Sequence, residues 1–447
     1  MPRDREILAL NAFDSKAPAP ANPELRAALE RRMRSFGSSS VLFYQQPIRM
    51  VRAEGVWMHD AEGRRYLDVY NNVPSVGHSH PAVVEAIRRQ TGQLNTHTRY
   101  LNDVVDTYAE RLLATFPASI GHLVLTCTGS EANDLALRIA QAATGGTGFI
   151  VSEAAYHGNT AAVTDVSPSS RPGRAPPSHV RLVPAPESFR SPESDLGARF
   201  AAAVTNAVAD LERSGIKFAG LLVDTIFSSD GVYADPPGFL APAVEAVHAR
   251  GGLFIADEVQ PGFGRTGTAF WGFERHGVSP DIVTMGKPMG NGFPMGGVTT
   301  RPELMDRFTA EVKYFNTFGG NPVAAAAGLA VLDVVRDEGL MENARTVGGY
   351  LMDGLREIGN RHIRIGDVRG SGLFVGLELV RDRDSKEPAP EVAIQVINGL
   401  RDHGILIGAA GPYGSTLKIR PPLCFTKENA DTVVSACDAV LRDIAAP

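Results

Sequence analysis

Three stretches of the sequence hold residue types that can do chemistry, and each follows an apolar run of strand character. The first is Thr128-Gly129-Ser130-Glu131-Ala132-Asn133-Asp134. Its glycine lets backbone approach a ligand closely, and its serine opens a helical pattern whose first amides favour an anion. The second is Ala256-Asp257-Glu258-Val259-Gln260. A carboxylate at a buried strand end needs a cationic partner, either a structural arginine or the ring nitrogen of a cofactor. The third is Thr284-Met285-Gly286-Lys287-Pro288, followed by Gly290-Asn291-Gly292. A lysine in a partly desolvated pocket can lose its proton and form a Schiff base with an aldehyde. Singly, these read as a capped helix, a salt-bridged carboxylate and a solvated lysine. Together, an anion cup, a strand-end aspartate and a strand-end lysine are what pyridoxal phosphate (PLP) requires. The lysine holds the aldehyde, and the carboxylate keeps the pyridine nitrogen protonated so that the ring accepts the electrons of a carbanion. Tyr156, in Ala155-Tyr156-His157-Gly158, is an aromatic suited to stacking on that ring.

Such groups need a frame that brings strand ends together. From about 76 to 330, apolar runs at 122–126, 149–152, 218–226, 253–256 and 281–285 alternate with helical patterns. This predicts an α/β fold: a mostly parallel sheet covered by helices on both faces, with ligands beyond the carboxyl ends of the strands. Upstream, Pro18, Pro20 and Pro23 precede an arginine-rich helix at 24–33, read as a solvated face, and 47–70 forms a small meander. The Pro-, Ser- and Arg-rich stretch 166–196 reads as a surface excursion. Beyond 330 the pattern becomes α+β, with helices at 322–337, 351–358, 390–403 and 427–443 and strands at 363–368, 373–379, 405–407 and 417–419. The expected division is 1–75 as an N-terminal segment with part of a small domain, 76–329 as the large ligand-binding domain, and 330–447 as the C-terminal small domain.

Composition narrows the class further. With 447 residues, 43% hydrophobic and 21% charged, the chain has ample apolar surface for a core, which excludes a mainly disordered protein. A net charge of −6 excludes nucleic acid or an anionic membrane as the main partner. Cys127, Cys424 and Cys437 are an odd number in a long chain, which predicts a reducing, cytoplasmic compartment. There is no apolar run long enough to span a bilayer, no secretory signal, and no metal is expected.

Six segments in order resemble the class III (omega) aminotransferases of PLP fold type I. They are Gly129-Ser130-Glu131-Ala132-Asn133, Tyr156-His157-Gly158, Ile255-Ala256-Asp257-Glu258-Val259-Gln260, Gly262-Phe263-Gly264-Arg265-Thr266-Gly267, Pro280-Asp281-Ile282-Val283-Thr284-Met285-Gly286-Lys287 and Phe315-Asn316-Thr317-Phe318-Gly319-Gly320-Asn321-Pro322. The resemblance runs from about residue 40 to the C-terminus and implies a seven-stranded sheet in a large domain with a smaller α+β domain. It implies Lys287 as the Schiff-base lysine and proton shuttle, and Asp257 as partner of the pyridinium nitrogen. Val259 and Tyr156 would flank the ring, with His157 beside them. Gln260 would bond the ring's phenolic oxygen, and Gly129 and Ser130 would hold the phosphate. Thr317 would reach that phosphate from the second subunit of a homodimer with shared active sites. Arg420, in Lys418-Ile419-Arg420-Pro421-Pro422, lies where the family binds a substrate carboxylate. Phe43 and Tyr44, with the loop at 70–76, are expected to set specificity.

Two departures stand out. Family members usually carry a Glu-Pro pair where this chain has Asp224-Thr225, and the family's Glu can pair with the carboxylate-binding arginine. The other is Pro288 after the lysine. Further segments, among them Tyr70-Asn71-Asn72-Val73, Asn95-Thr96-His97-Thr98-Arg99-Tyr100-Leu101 and Gly366-Asp367-Val368-Arg369-Gly370, resemble the alanine–glyoxylate aminotransferase 2-like group, which includes phospho-lyases. The expectation is an aminotransferase moving an amino group from a small amine or amino acid to a 2-oxo acid, as a dimer or a dimer of dimers. The alternative is a phospho-lyase releasing phosphate and ammonia, with His97 and Arg99 as candidates for a second anion pocket. A racemase or epimerase and a non-catalytic scaffold are the remaining readings.

Overall fold

The computed structural model describes residues 11–14, 22–39, 41–191 and 195–444. Pro18 and Pro20 lie outside the described residues. Helix α1 (Pro23–Phe36) leads into a meander of β1 (Met50–Glu54), β2 (Trp57–Asp60) and β3 (Arg65–Asp68). Helices α2 (Pro81–Thr91) and α3 (Asp103–Leu113) deliver the chain to the large sheet. There follow β4 (His122–Thr126), α4 (Gly129–Thr144), β5 (Gly148–Ser152), α5 (Ala161–Asp165), β6 (Val180–Val183), α6 (Leu196–Arg213) and β7 (Phe218–Asp224). Then come α7 (Ala241–Ala249), β8 (Leu253–Asp257), β9 (Ile282–Met285), β10 (Gly296–Thr300), α8 (Pro302–Glu311), α9 (Pro322–Asp337) and α10 (Leu340–Gly359). The chain ends through β11 (Ile365–Ser371), β12 (Phe374–Leu379), α11 (Pro390–Asp402), β13 (Ile405–Leu406), β14 (Gly408–Ala410), β15 (Thr416–Ile419) and α12 (Lys427–Asp443).

The large sheet has seven strands in the order β4-β10-β9-β8-β7-β5-β6. Those from β9 to β6 pair in parallel, and β10 runs antiparallel to both of its neighbours. The central strands β5, β7, β8 and β9 are apolar on both sides because both of their faces are buried. Phe149, Val151, Ile255 and Ile282 pack with α4 and α8, while the alternate residues Ile150, Phe254 and Val283 pack with α6 and α7. Burying a side chain such as Phe254 is worth roughly 1.5–3 kcal/mol, so this two-sided packing fixes strand register firmly.

Two strands depart from the sequence expectation. Edge strand β6 comes from the 166–196 stretch read as a surface excursion: four residues in parallel register with β5 make a strand that composition hides. Strand β10, Gly-Gly-Val-Thr-Thr, lacks an apolar run and is held by pairing on both sides. A second sheet, β1-β2-β3-β13, joins the N-terminal meander to the C-terminal part, since β13 pairs in parallel with β3. A third, β11-β12-β15-β14, is antiparallel. Among the described residues no helix is long and apolar enough to cross a membrane.

Candidate active site

Strand register sets the chemistry in one row. Asp224 at the end of β7 pairs with Asp257 at the end of β8, and Asp257 with Thr284 in β9, three residues before Lys287. Asp257 is buried and held from three directions. Its Oδ2 accepts from His157 Nδ1 at 2.6 Å and from Asn133 Nδ2 at 3.0 Å, and its Oδ1 accepts from the Val259 backbone N–H at 3.0 Å. Asn133 is aimed in turn by Thr284, whose hydroxyl donates to its Oδ1 at 2.7 Å. Such support fixes the carboxylate for a cationic partner.

A cavity of about 300 Å³ runs from Asp257 and Lys287 to the start of α4, past Tyr156, Val259, Gly129 and Ser130. Thr128 caps α4 through its hydroxyl, which accepts from the Glu131 N–H at 3.1 Å. The first amides of the helix are left to face an anion. Both glycines of the cup are sterically required. A Cβ on Gly129 would meet Val259 Cγ2 at 2.9 Å, and one on Gly158, where φ is +141°, would meet Ser130 Oγ at 2.5 Å. An anion cup at one end, a fixed carboxylate at the other and a lysine between them fit PLP.

Lys287 also lines a second cavity, of about 180 Å³, on the side of β14 and β15. This one is bounded by Phe43, Tyr70, Tyr156, Gln260, Lys418 and Arg420, among others. Lys418 and Arg420 stand two apart, so both face the cavity while Leu417 and Ile419 enter the core. Among the described residues, the charged groups on this lining are Lys287, Lys418 and Arg420, all cationic. Arg420 Nη1 donates to Gln260 Oε1 at 2.6 Å and to Asn72 Oδ1 at 2.7 Å, and its guanidinium carbon lies 4.6 Å from the centre of the Tyr70 ring. Its partners are neutral, and its buried Nε has none among the described residues. Arg265 ties down the adjoining backbone by donating to the carbonyls of Leu373 and Pro421. The Lys418 backbone pairs within the third sheet, while its ammonium makes no side-chain hydrogen bond among the described residues and sits 5.6 Å from the centre of the Phe374 ring.

These cations depress one another. Burial, then the charge of Arg420, pushes the Lys287 ammonium down to about 8, against the opposing pull of Asp257 and Asp224. Burial and Arg420 likewise hold the Lys418 ammonium well below the ordinary lysine range, with Asp224 opposing.

The structure brings together Gly129, Ser130, Tyr156, His157, Asp257, Val259, Gln260 and Lys287 around the larger cavity, and Phe43 and Arg420 on the smaller one. Gln260 serves both. Tyr44 is a correction: its hydroxyl donates to the Ile407 carbonyl at 3.2 Å and accepts from the Ile407 N–H at 3.1 Å, so it braces the cavity wall from behind. Thr317 is exposed and lies outside both linings. His97 stacks on Tyr100 with ring centres 5.2 Å apart, and Arg99 lies 3.9 Å over the Phe315 ring. Neither lines the smaller cavity, whose basic residues besides Lys287 are Lys418 and Arg420. Lys418, Asn72 and Asn133 went without assigned roles in the sequence. Only Lys418 had a usable signal, a basic residue alternating with apolar ones two positions before Arg420.

The family model described as Aminotransferase class-III matches residues 41–441. A phospholyase from Arthrobacter, solved in complex with phosphoethanolamine, is 44% identical, with 94% of this chain and 100% of that one covered and a TM-score of 0.90. A Caenorhabditis elegans protein named ethanolamine-phosphate phospho-lyase homolog 1 is 40% identical over 460 residues, covering 97% of this chain and 98% of its own length. Human mitochondrial alanine–glyoxylate aminotransferase 2 is 36% identical over 432 residues, covering 89% of this chain and 83% of its own length.

Proposed function

The chain belongs to the class-III aminotransferase family and is a PLP-dependent enzyme, and from that premise we propose that it eliminates phosphate from a small phosphorylated primary amine. The observation that carries this is the charge of the smaller cavity: its charged lining is cationic, and Arg420 is held by neutral groups. A phosphate monoester is the anion that best uses two neighbouring cations beside the reacting carbon. Two relatives bear phospho-lyase names, which supports the same reading.

When bound, PLP supplies an aldehyde for the substrate amine and an electron sink for the carbon beside it. Gly129, Ser130 and the start of α4 would hold the cofactor phosphate, and Asp257 would keep the ring nitrogen protonated. Lys287 lies between the two cavities, and its lowered pKa leaves part of it as free amine near neutral pH, the form that can take a proton from that carbon. Lys418 and Arg420 hold the substrate phosphate and stabilise it as the C–O bond breaks. The electrons of the C–H bond become a C=C bond, phosphate leaves with those of the C–O bond, and water hydrolyses the freed enamine to an aldehyde and ammonia.

Arg420 also favours a second reading, amino transfer to a 2-oxo acid, because its planar fork matches a carboxylate. Two copies of the chain form the working unit in this proposal. Thr317 sits beside exposed Phe315 and Phe318, near exposed Tyr100 and Leu101, a patch suited to a second copy whose anion cup Thr317 would complete. Three free cysteines suit a reducing, cytoplasmic setting. The test is to mix the PLP-loaded enzyme with phosphoethanolamine and no oxo acid. Phosphate and ammonia should accumulate catalytically while the aldehyde form persists. Stoichiometric conversion to the pyridoxamine form, with phosphate still on the product, establishes transamination instead.

A further inference from the structure

Strand β7 ends in a turn built around one carboxylate. Asp224 Oδ1 accepts from the Ile226 N–H at 3.0 Å, and its Oδ2 accepts from the Ser228 N–H at 3.1 Å and from the Ser228 hydroxyl. Two bulky residues here take left-handed backbone, Phe227 at φ +49° and Val232 at φ +66°. Such backbone is unfavourable for them and persists only where packing enforces it. Both are fully buried, and Phe227 stands edge-on to Phe200 with ring centres 5.4 Å apart.

What the strained turn delivers is the Ser228 hydroxyl, which accepts from Gln260 Nε2 while Gln260 Oε1 accepts from Arg420. Chemistry fixes the direction of this chain. A guanidinium has donors only, so the atom facing it is the amide oxygen. The amide then offers Ser228 an N–H, and the serine's single proton goes to Asp224. The result runs Arg420, Gln260, Ser228, Asp224, with a cation at one end, a carboxylate at the other and neutral links between, the two inner links buried. A carboxylate set directly on Arg420 would cancel its charge. Here the balancing carboxylate stands two links away, and the guanidinium stays cationic toward the cavity.

We propose that Ser228 is a specificity-determining positioning residue: by fixing the Gln260 amide it holds Arg420 in the substrate cavity as a standing cation and commits the site to amines with an anionic end. This rests on the reading that Arg420 faces the anionic end of the substrate.

The test compares wild type, Ser228→Ala and Asp224→Asn as PLP-loaded enzymes, with thermal melting to verify folding. Phosphoethanolamine serves as substrate, n-propylamine, which has no leaving group, as a ligand whose Kd is read from the bound cofactor's absorbance, and inorganic phosphate binding is followed by calorimetry. Ser228→Ala should raise both the KM for phosphoethanolamine and the Kd for phosphate roughly tenfold, the weight of one charge-assisted hydrogen bond. Its kcat should stay within about threefold, and the Kd for n-propylamine should be unchanged. Asp224→Asn keeps the shape, removes the terminal charge and should shift phosphate binding the same way, which carries the test if the alanine variant does not fold. Equal losses of affinity for both amines, or phosphate binding unchanged in both variants, overturn the role of Ser228 alone. A wild type that neither binds phosphate nor prefers the phosphorylated amine overturns both this proposal and the reading beneath it.

Discussion

Cofactor loading should report the electrostatics of Lys287 directly, because only its unprotonated amine can take up the aldehyde. Burial and Arg420 bring the ammonium from 10.5 to about 8. At pH 7 about one chain in ten then carries the neutral amine, against about one in three thousand for an ordinary lysine, an advantage of about 300-fold. The sign follows. Uptake should climb about tenfold per pH unit below 8 and level off above it. Arg420→Met removes the second-largest cause but leaves burial, so the inflection should move upward without reaching the ordinary lysine value. The assay is rapid mixing of apoenzyme with PLP between about pH 6 and pH 10, followed by absorbance of the bound cofactor. A parallel reaction of PLP with methoxyamine, uncharged in this range, removes the cofactor's own titration. A rate that keeps climbing through pH 8 to 10, or an inflection that Arg420→Met leaves in place, would refute the argument.

Two further outcomes follow from contacts elsewhere. Burial opposes charge on Glu378, but Arg369 at 2.8 Å and Arg190 at 2.8 Å outweigh it and pull its carboxyl down to about 2. Glu378→Ala leaves Arg369 with Asp367 at 3.0 Å as its one carboxylate and should cost about 3 kcal/mol, the low end for breaking a buried pair, read by urea unfolding. If two chains share their sites, Thr317→Val should loosen PLP, and mixing those chains with Lys287→Ala chains should restore about a quarter of the sites to full cofactor affinity. No recovery on mixing would mean that each chain builds its site alone.

The sequence made legible whatever depends on residue type and short spacing. The apolar strands, the Gly129-Ser130 helix start, Asp257 after β8 and Lys287 after β9 all follow from that logic, and they meet because parallel register aligns strand ends. What escaped depends on pairing and direction. Strand β10 is glycine and threonine, and β6 is four residues inside a polar stretch, so each exists only through its neighbours. Tyr44 has the right residue type for a substrate contact, but its φ of +69° and its bonds to Ile407 turn it behind the wall. The turn after Asp224 could not be read, because Phe227 and Val232 occupy backbone that glycine or asparagine would normally signal.

The two cavities place opposite demands on Lys287, and the cation cluster reconciles them. Without a bound anion, Arg420 and burial hold the amine weakly basic, the state that takes up an aldehyde. If the proposed substrate is the right one, a phosphate seated between Lys418 and Arg420 would bring negative charge into the same small space and offset the field that depressed the lysine. Its proton affinity then rises at the moment it must accept a proton from carbon. An apolar amine brings no such charge and leaves the base weak. In that proposal the cations that meet the substrate's far end would also tune the base at its near end, and discrimination should be expressed in the chemical step as well as in binding.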